Sequence, residues 1–177
     1  MALGGRVPLQ KATSLFVFEK DGKVQNLLHA LKYENQQVVG ELMGQTLFRD
    51  LNSTGFFDGI TFIVPIPLHK KKQKSRGYNQ SECFAKGISE KSGISLNAHS
   101  FMRQIETSTQ TKKGKAERWA NVKDAFVLRD KEAFENNHIL LVDDVITTGA
   151  TIEGAWQALK DVEGIKVSVA SIAYADK

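Results

Sequence analysis

Apolar positions along this chain fall into short blocks whose spacing switches between the two-residue period of a strand and the three-to-four-residue period of a helix. The block Ser14 to Glu19, rich in β-branched and aromatic residues and closed by the turn signal Asp21-Gly22, predicts a strand. Val24, Leu27, Leu28 and Leu31, then Val38, Val39, Leu42, Met43 and Leu47 beyond the polar stretch Glu34 to Gln37, keep helical spacing and predict two helices. Gly59 to Val64 predicts a buried strand that stops where Pro65 and Pro67 remove ladder donors. Asn79 to Ser92 predicts a helix turning Cys83, Phe84 and Ile88 inward and ending near Gly93. Residues 104–115 hold a single apolar side chain and predict an exposed loop of the length common in lids and binding loops. After it come a short helix (Ala116 to Asp124), a short strand (Ala125 to Arg129), a strand buried on both faces (His138 to Val142), a helix (Gly149 to Leu159) and a last strand (Lys166 to Ala173). Strands alternating with helices predict an α/β domain with a mostly parallel twisted sheet flanked by helices. Ligands of such sheets bind at the carboxyl ends of the strands, which puts Pro65–Arg76 and Asp143–Thr151 on one crevice.

Composition narrows this picture in three ways. With 177 residues, 41% hydrophobic and 25% charged, the chain has the length and make-up of one globular domain that packing alone can hold. Its one cysteine, Cys83, excludes an intrachain disulfide and a multi-cysteine zinc cluster, and a reduced, cytoplasmic setting is expected. The apolar runs are far shorter than the ~20 residues of a spanning helix, and Met-Ala-Leu-Gly-Gly lacks the pattern of a signal peptide. Residues 1–13 are expected to be an extension or an expression remnant, and 14–177 a single domain.

Charge is unevenly placed: residues 69–118 carry twelve Lys and Arg against four acids, whereas the rest of the chain carries twelve against sixteen. A basic middle suits an anionic partner, and a solvated lysine-rich surface accounts for it equally well.

The strongest chemistry lies in Ile139-Leu-Leu-Val-Asp143-Asp144-Val-Ile-Thr147-Thr148-Gly149-Ala150-Thr151. An apolar strand ends in two carboxylates, acceptor-only groups suited to the vicinal hydroxyls of a sugar or to Mg²⁺. A turn of small and hydroxylated residues then opens a helix, whose unpaired N–H groups and dipole form an anion site. Hydroxyl and phosphate recognition a few residues apart suit a ribose 5-phosphate. An apolar run ending in Asp-Asp also resembles a Walker B strand, and Thr-Thr-Gly an ordinary cap. The first lacks a Gly-x-x-x-x-Gly-Lys-Ser/Thr cradle anywhere in the chain, and the second leaves the paired acids unexplained.

This run resembles the phosphoribosyl pyrophosphate (PRPP) signature of type I phosphoribosyltransferases. Pro65-x-Pro67-Leu68 with Arg76-Gly77-Tyr78-Asn79-Gln80, then Glu117-Arg118, Asn121-Val122 and Ala125-Phe126, and earlier Leu31-Lys32-Tyr33, resemble the ComF family of competence-associated phosphoribosyltransferase-like proteins. The resemblance implies a hood over residues 14–58 and a core over 59–177 with a flexible loop at about 104–115. It implies Asp143 and Asp144 as the catalytic pair, Thr147, Thr148, Gly149, Ala150 and Thr151 around the 5-phosphate, and Ile66, Pro67 and Leu68 near pyrophosphate. Arg76 offers a bidentate phosphate contact, and Lys112, Lys113, Lys115 and Arg118 belong to the implied lid. Mg²⁺ would arrive with PRPP, since the four histidines show no ligand spacing and no metal site built from protein alone is expected. The expected activity is displacement of pyrophosphate by a nitrogen acceptor, in a role linked to DNA uptake. The alternative is a non-catalytic nucleotide- or single-stranded-DNA-binding competence accessory protein, working with DNA-uptake proteins and without membrane insertion. A plain base-salvage transferase is a third option. The acceptor is not encoded in Lys32, Tyr33, Phe56 and Phe57, and the oligomeric state, a dimer among the options, is left open. ComF-like proteins commonly carry an N-terminal four-cysteine zinc module, and no cysteine precedes Cys83 here.

Overall fold

A computed structural model describes residues 5–20, 22–104 and 125–175. Its elements are β1 (Leu9–Val17), α1 (Lys23–Tyr33), α2 (Gln37–Leu51), β2 (Phe62–Pro65), α3 (Lys70–Arg76), α4 (Gln80–Ser92), β3 (Ser95–Leu96), β4 (Phe101–Arg103), β5 (Phe126–Leu128), β6 (His138–Ile146), α5 (Ala150–Leu159) and β7 (Lys166–Tyr174). The main sheet has the order β1-β7-β6-β2-β3, every pairing parallel, and β4 and β5 form a separate antiparallel pair.

β6 lies at the centre because it can be apolar on both sides. Ile139, Leu140, Leu141 and Val142 are all fully buried, each contributing about 2 kcal/mol of apolar transfer. Leu140 and Val142 pack with α1, α2 and α4 on one face, whereas Ile139 and Leu141 pack with α5 and the β4–β5 pair on the other. Successive strand residues point to opposite faces, and this alternation continues into the carboxylates beyond.

α2 and α4 cross on small residues. A Cβ on Gly44 would lie 2.1 Å from the Phe84 carbonyl oxygen, and one on Gly87 would lie 2.0 Å from that of Glu41.

The observed boundaries differ from the sequence expectation at informative places. β1 opens at Leu9 instead of Ser14, because it is a sheet edge whose polar Gln10, Lys11 and Thr13 are tolerated as it pairs with β7. Residues 9–13, expected in an extension, therefore belong to the sheet, and the segment 14–58 contributes an edge strand along with α1 and α2. β6 runs on through Asp143 and Asp144 to Ile146, paired with β7 to Tyr174. α3 forms where charge alone was legible, capped by His69, whose ring accepts from the Lys71 N–H at 3.3 Å, and ended by Gly77 in the left-handed region. The segment expected as lid and short helix, with Lys112, Lys113, Lys115 and Arg118, lies outside the described residues.

Candidate functional site

The carboxyl ends of β2 and β6 and the start of α5 frame one crevice, roofed by the end of α1. Asp143 and Asp144 leave β6 in opposite directions. Asp143 is buried; its Oδ1 accepts from the Ser81 hydroxyl at 3.2 Å and from the Asp144 N–H at 2.9 Å. Burial first, and the neighbouring Asp144 charge second, push its pKa up to about 7, against the pull of those hydrogen bonds and of Lys32. Arg103 on β4 lies within electrostatic reach of Asp143, and burial lowers its own pKa. Asp144 points the other way, where its Oδ2 meets the Lys32 ammonium at 2.7 Å.

The loop after β6 wraps a small cavity of about 20 Å³ lined by Asp143 and Thr147 to Thr151. Gly149 takes φ +80°, a conformation natural to glycine, and starts α5 with no side-chain cap. The Ala150 N–H reaches the Thr148 hydroxyl at 3.4 Å, and the N-cap residue itself offers the rest of the first turn no side-chain acceptor. Glu153 in the same turn would repel an anion, but Arg6 sits 2.5 Å from its carboxylate and reaches the Thr148 carbonyl at 3.5 Å. The turn keeps its anion-favouring character.

Two larger cavities flank Lys32. One, of about 500 Å³, lies between α1 and the end of β6, with Phe18, Leu28 and Val145 as apolar wall and His29, Asp144 and Thr147 as polar groups. The other, of about 490 Å³, lies between α1 and α3, lined by Lys32, Tyr33, Lys71, Lys72, Arg76 and Tyr78 among others, with no acid on its wall among the described residues. Thr147 lines both the small cavity and the first of these, and Lys32 lines both the first and the second.

The expected site residues separate along this series. Asp143 and Thr147–Thr151 share one cavity, Asp144 faces the next, and Arg76 the third. The Arg76 guanidinium donates to Gln80 Oε1 at 2.8 Å and lies 5.7 Å above the Tyr33 ring. Ile66 is buried, with its N–H on the Val142 carbonyl and its own carbonyl held by the Asn79 side chain. Ile66, Pro67 and Leu68 thus place α3 in the crevice, and Ile66 has no N–H left for an anion. Sequence reasoning missed Lys32, Ser81, Arg6 and the pairing of Lys71 and Lys72 with Arg76. The Leu31-Lys32-Tyr33 triplet was the available signal for the first, whereas the others depend on tertiary approach. Tyr78 is buried with its hydroxyl donating to the Leu31 carbonyl, and among the described residues the exposed aromatic is Tyr33, at 68%. Cys83 packs in the core, and burial first pushes its thiol up to about 11. Among the described residues no three His, Cys, Asp or Glu side chains come together, and no helix is long and apolar enough to cross a membrane.

Residues 50–177 match the family model of the phosphoribosyl transferase domain. Competence protein F of Haemophilus influenzae is 30% identical over 154 residues, covering 84% of this chain and 67% of that protein. Competence protein ComFC of Bacillus subtilis is 34% identical over 109 residues, covering 62% of this chain and 42% of that one. DNA utilization protein YhgH of Escherichia coli is 27% identical over 136 residues, covering 75% and 59%. The chain therefore spans between about two fifths and two thirds of these relatives' lengths. Among solved structures, adenine phosphoribosyltransferase from Leishmania tarentolae matches over 89% of this chain and 90% of that one, with TM-score 0.48 and 12% identity.

Proposed function

Because this chain belongs to the ComF family and carries its type I phosphoribosyltransferase fold, we propose that the crevice binds PRPP and transfers its phosphoribosyl group to a nitrogen acceptor. The observation that supports this reading is the series of neighbouring cavities that share Thr147 and Lys32. A small cavity at the start of α5 comes first, then a chamber with Asp144 on its wall, then a pocket with four cations and, among the described residues, no acid on its wall. A molecule with a phosphate at one end, hydroxyls in the middle and pyrophosphate at the other end fits that order.

Each part has a physical task. The α5 turn takes the 5-phosphate as a remote handle whose binding orients the reacting carbon. Asp144 accepts from a ribose hydroxyl. Asp143, with its raised pKa, both donates and accepts when protonated and favours the sugar's cationic character when ionised. Lys71, Lys72 and Arg76 balance pyrophosphate charge. The bond from the anomeric carbon to pyrophosphate oxygen breaks with its electron pair leaving on oxygen, the acceptor nitrogen forms the new bond, and its proton is lost to solvent or pyrophosphate. The residues present fit Mg²⁺ as a guest of the ligand: the hard carboxylate oxygens of Asp144 stand at the chamber wall, and the described residues hold no cluster of ligands that would bind the ion alone. When bound, it would neutralise the leaving group. The chamber between α1 and β6 is open and half apolar, as a planar heterocyclic acceptor needs. A reduced, cytoplasmic workplace belongs to this reading.

One observation favours a second reading, a single-stranded-DNA accessory. Exposed Tyr33 stands beside Lys71, Lys72 and Arg76, and stacking beside cations is what single strands need. Pyrophosphate release from PRPP across a panel of nitrogen heterocycles separates the two. Acceptor-dependent release lost in Asp144→Asn supports transfer. No release with any acceptor, together with salt-sensitive oligonucleotide binding that survives Asp144→Asn, overturns it in favour of the accessory.

A further inference from the structure

Lys32 is the wall common to the two large cavities. Its backbone is fixed: Leu31 before it is fully buried and takes the Tyr78 hydroxyl on its carbonyl, and Tyr33 after it lies under Arg76. Its side chain keeps 23% of its exposure, and a four-carbon stem has rotatable bonds through which the ammonium can be re-aimed. The charges around the ammonium are lopsided. On one side is the Asp144 carboxylate at 2.7 Å, with Lys20 and His29 on the same chamber wall, and on the other are Lys71, Lys72 and Arg76. Without a ligand the ammonium is held at Asp144. An anion in that pocket reverses the preference.

We propose that Lys32 is a positioning residue that couples the two cavities: its single ammonium closes Asp144 when both are empty and moves to an anion in the α1–α3 pocket when one binds. This deepens the phosphoribosyl reading and rests on it. The ion pair competes with each half of the ligand, with a sugar hydroxyl for Asp144 and with pyrophosphate for Lys32. Whichever half arrives first breaks the pair, and the second binds without that cost. The sugar-phosphate and pyrophosphate halves must then bind with positive cooperativity, reciprocal in size by linkage. A chain with only one half of a ligand bound keeps the other cavity open, which favours ligands carrying both groups.

The test is titration calorimetry with ribose 5-phosphate and with inorganic pyrophosphate, each alone and in the presence of the other, in buffer containing Mg²⁺. Wild type, Lys32→Met and Lys32→Arg are compared. In wild type each ligand should tighten the other about fivefold, the low end of measured site-to-site couplings. In Lys32→Met, ribose 5-phosphate alone should bind tighter, pyrophosphate alone about tenfold weaker, the scale of one lost charge-assisted contact, and the coupling should vanish. Lys32→Arg should keep pyrophosphate affinity. A tie that merely holds α1 in place would instead weaken both ligands in parallel, and that result, or coupling that persists in Lys32→Met, overturns the proposal. Absence of coupling in wild type overturns it without any variant. Wild type that binds neither ligand removes the phosphoribosyl reading itself and the proposal with it.

Discussion

Asp143 concentrates the chemistry of the site in one side chain. Its carboxyl pKa is pushed up to about 7, by burial first and then by Asp144, from about 3.9 in an unfolded chain. The folded state therefore binds this proton more tightly than the unfolded state. The stabilisation is complete below about pH 4 and is lost as pH rises toward about 7. Asp143→Asn should flatten that part of a melting-temperature profile and stabilise the protein at pH 8 by on the order of 1 kcal/mol, roughly 3 °C for a domain this size. A variant less stable than wild type at pH 8 would show that the carboxylate is better satisfied than its burial implies. The pairing of Asp143 with Asp144 and the threonine turn beyond were legible because the chemistry is contiguous in sequence. The opposite orientation of the two acids was not, because it depends on β6 running on through them. Lys32 was visible only within the Leu31-Lys32-Tyr33 triplet, and its tie to Asp144 was not, for a related reason: an α1 lysine acquires that meaning only when the helix end is laid against a strand 112 positions away in sequence, as the numbering shows.

At the scale of elements, the predictable parts were those with a periodic apolar face. α1, α2, α4, α5, β2 and β7 fall near their expected places because each buries a stripe or a strand face. α3 carries no apolar residue in Lys-Lys-Lys-Gln-Lys-Ser-Arg, so periodicity was silent, and β3 and β4 are too short for alternation to register. Small residues set the α2–α4 crossing, which no hydrophobic pattern reveals. Gly44→Ala and Gly87→Ala should each destabilise by about 2 kcal/mol or more in denaturant unfolding, because an added Cβ would overlap backbone that cannot move aside. Gly93→Ala, where nothing lies within 4 Å of a Cβ, should cost only the strain of its φ of +75°, about 1 kcal/mol. Equal losses at all three positions would contradict the close-crossing account. The crossing matters to function because α4 begins with Gln80 and Ser81, which hold Arg76 and Asp143.

Over the whole molecule, the five-stranded parallel sheet brings β2, β6, α1 and α5 to one end, and the family likeness spans most of the chain. The basic middle segment is visible in the sequence as charge, and the structure gives part of it a shape: Lys71, Lys72 and Arg76 face one cavity beside Lys32. That arrangement, a phosphate turn, a carboxylate chamber and a cationic pocket in line, is the central claim. Calorimetric titration of PRPP with Mg²⁺ into wild type and into Asp143→Asn/Asp144→Asn tests it most directly. Saturable binding by wild type, weakened about tenfold or more in the double variant by loss of charge-assisted hydroxyl contacts, is the predicted result. A well-folded wild type that takes up no PRPP, or a double variant that binds it as tightly, would contradict the account.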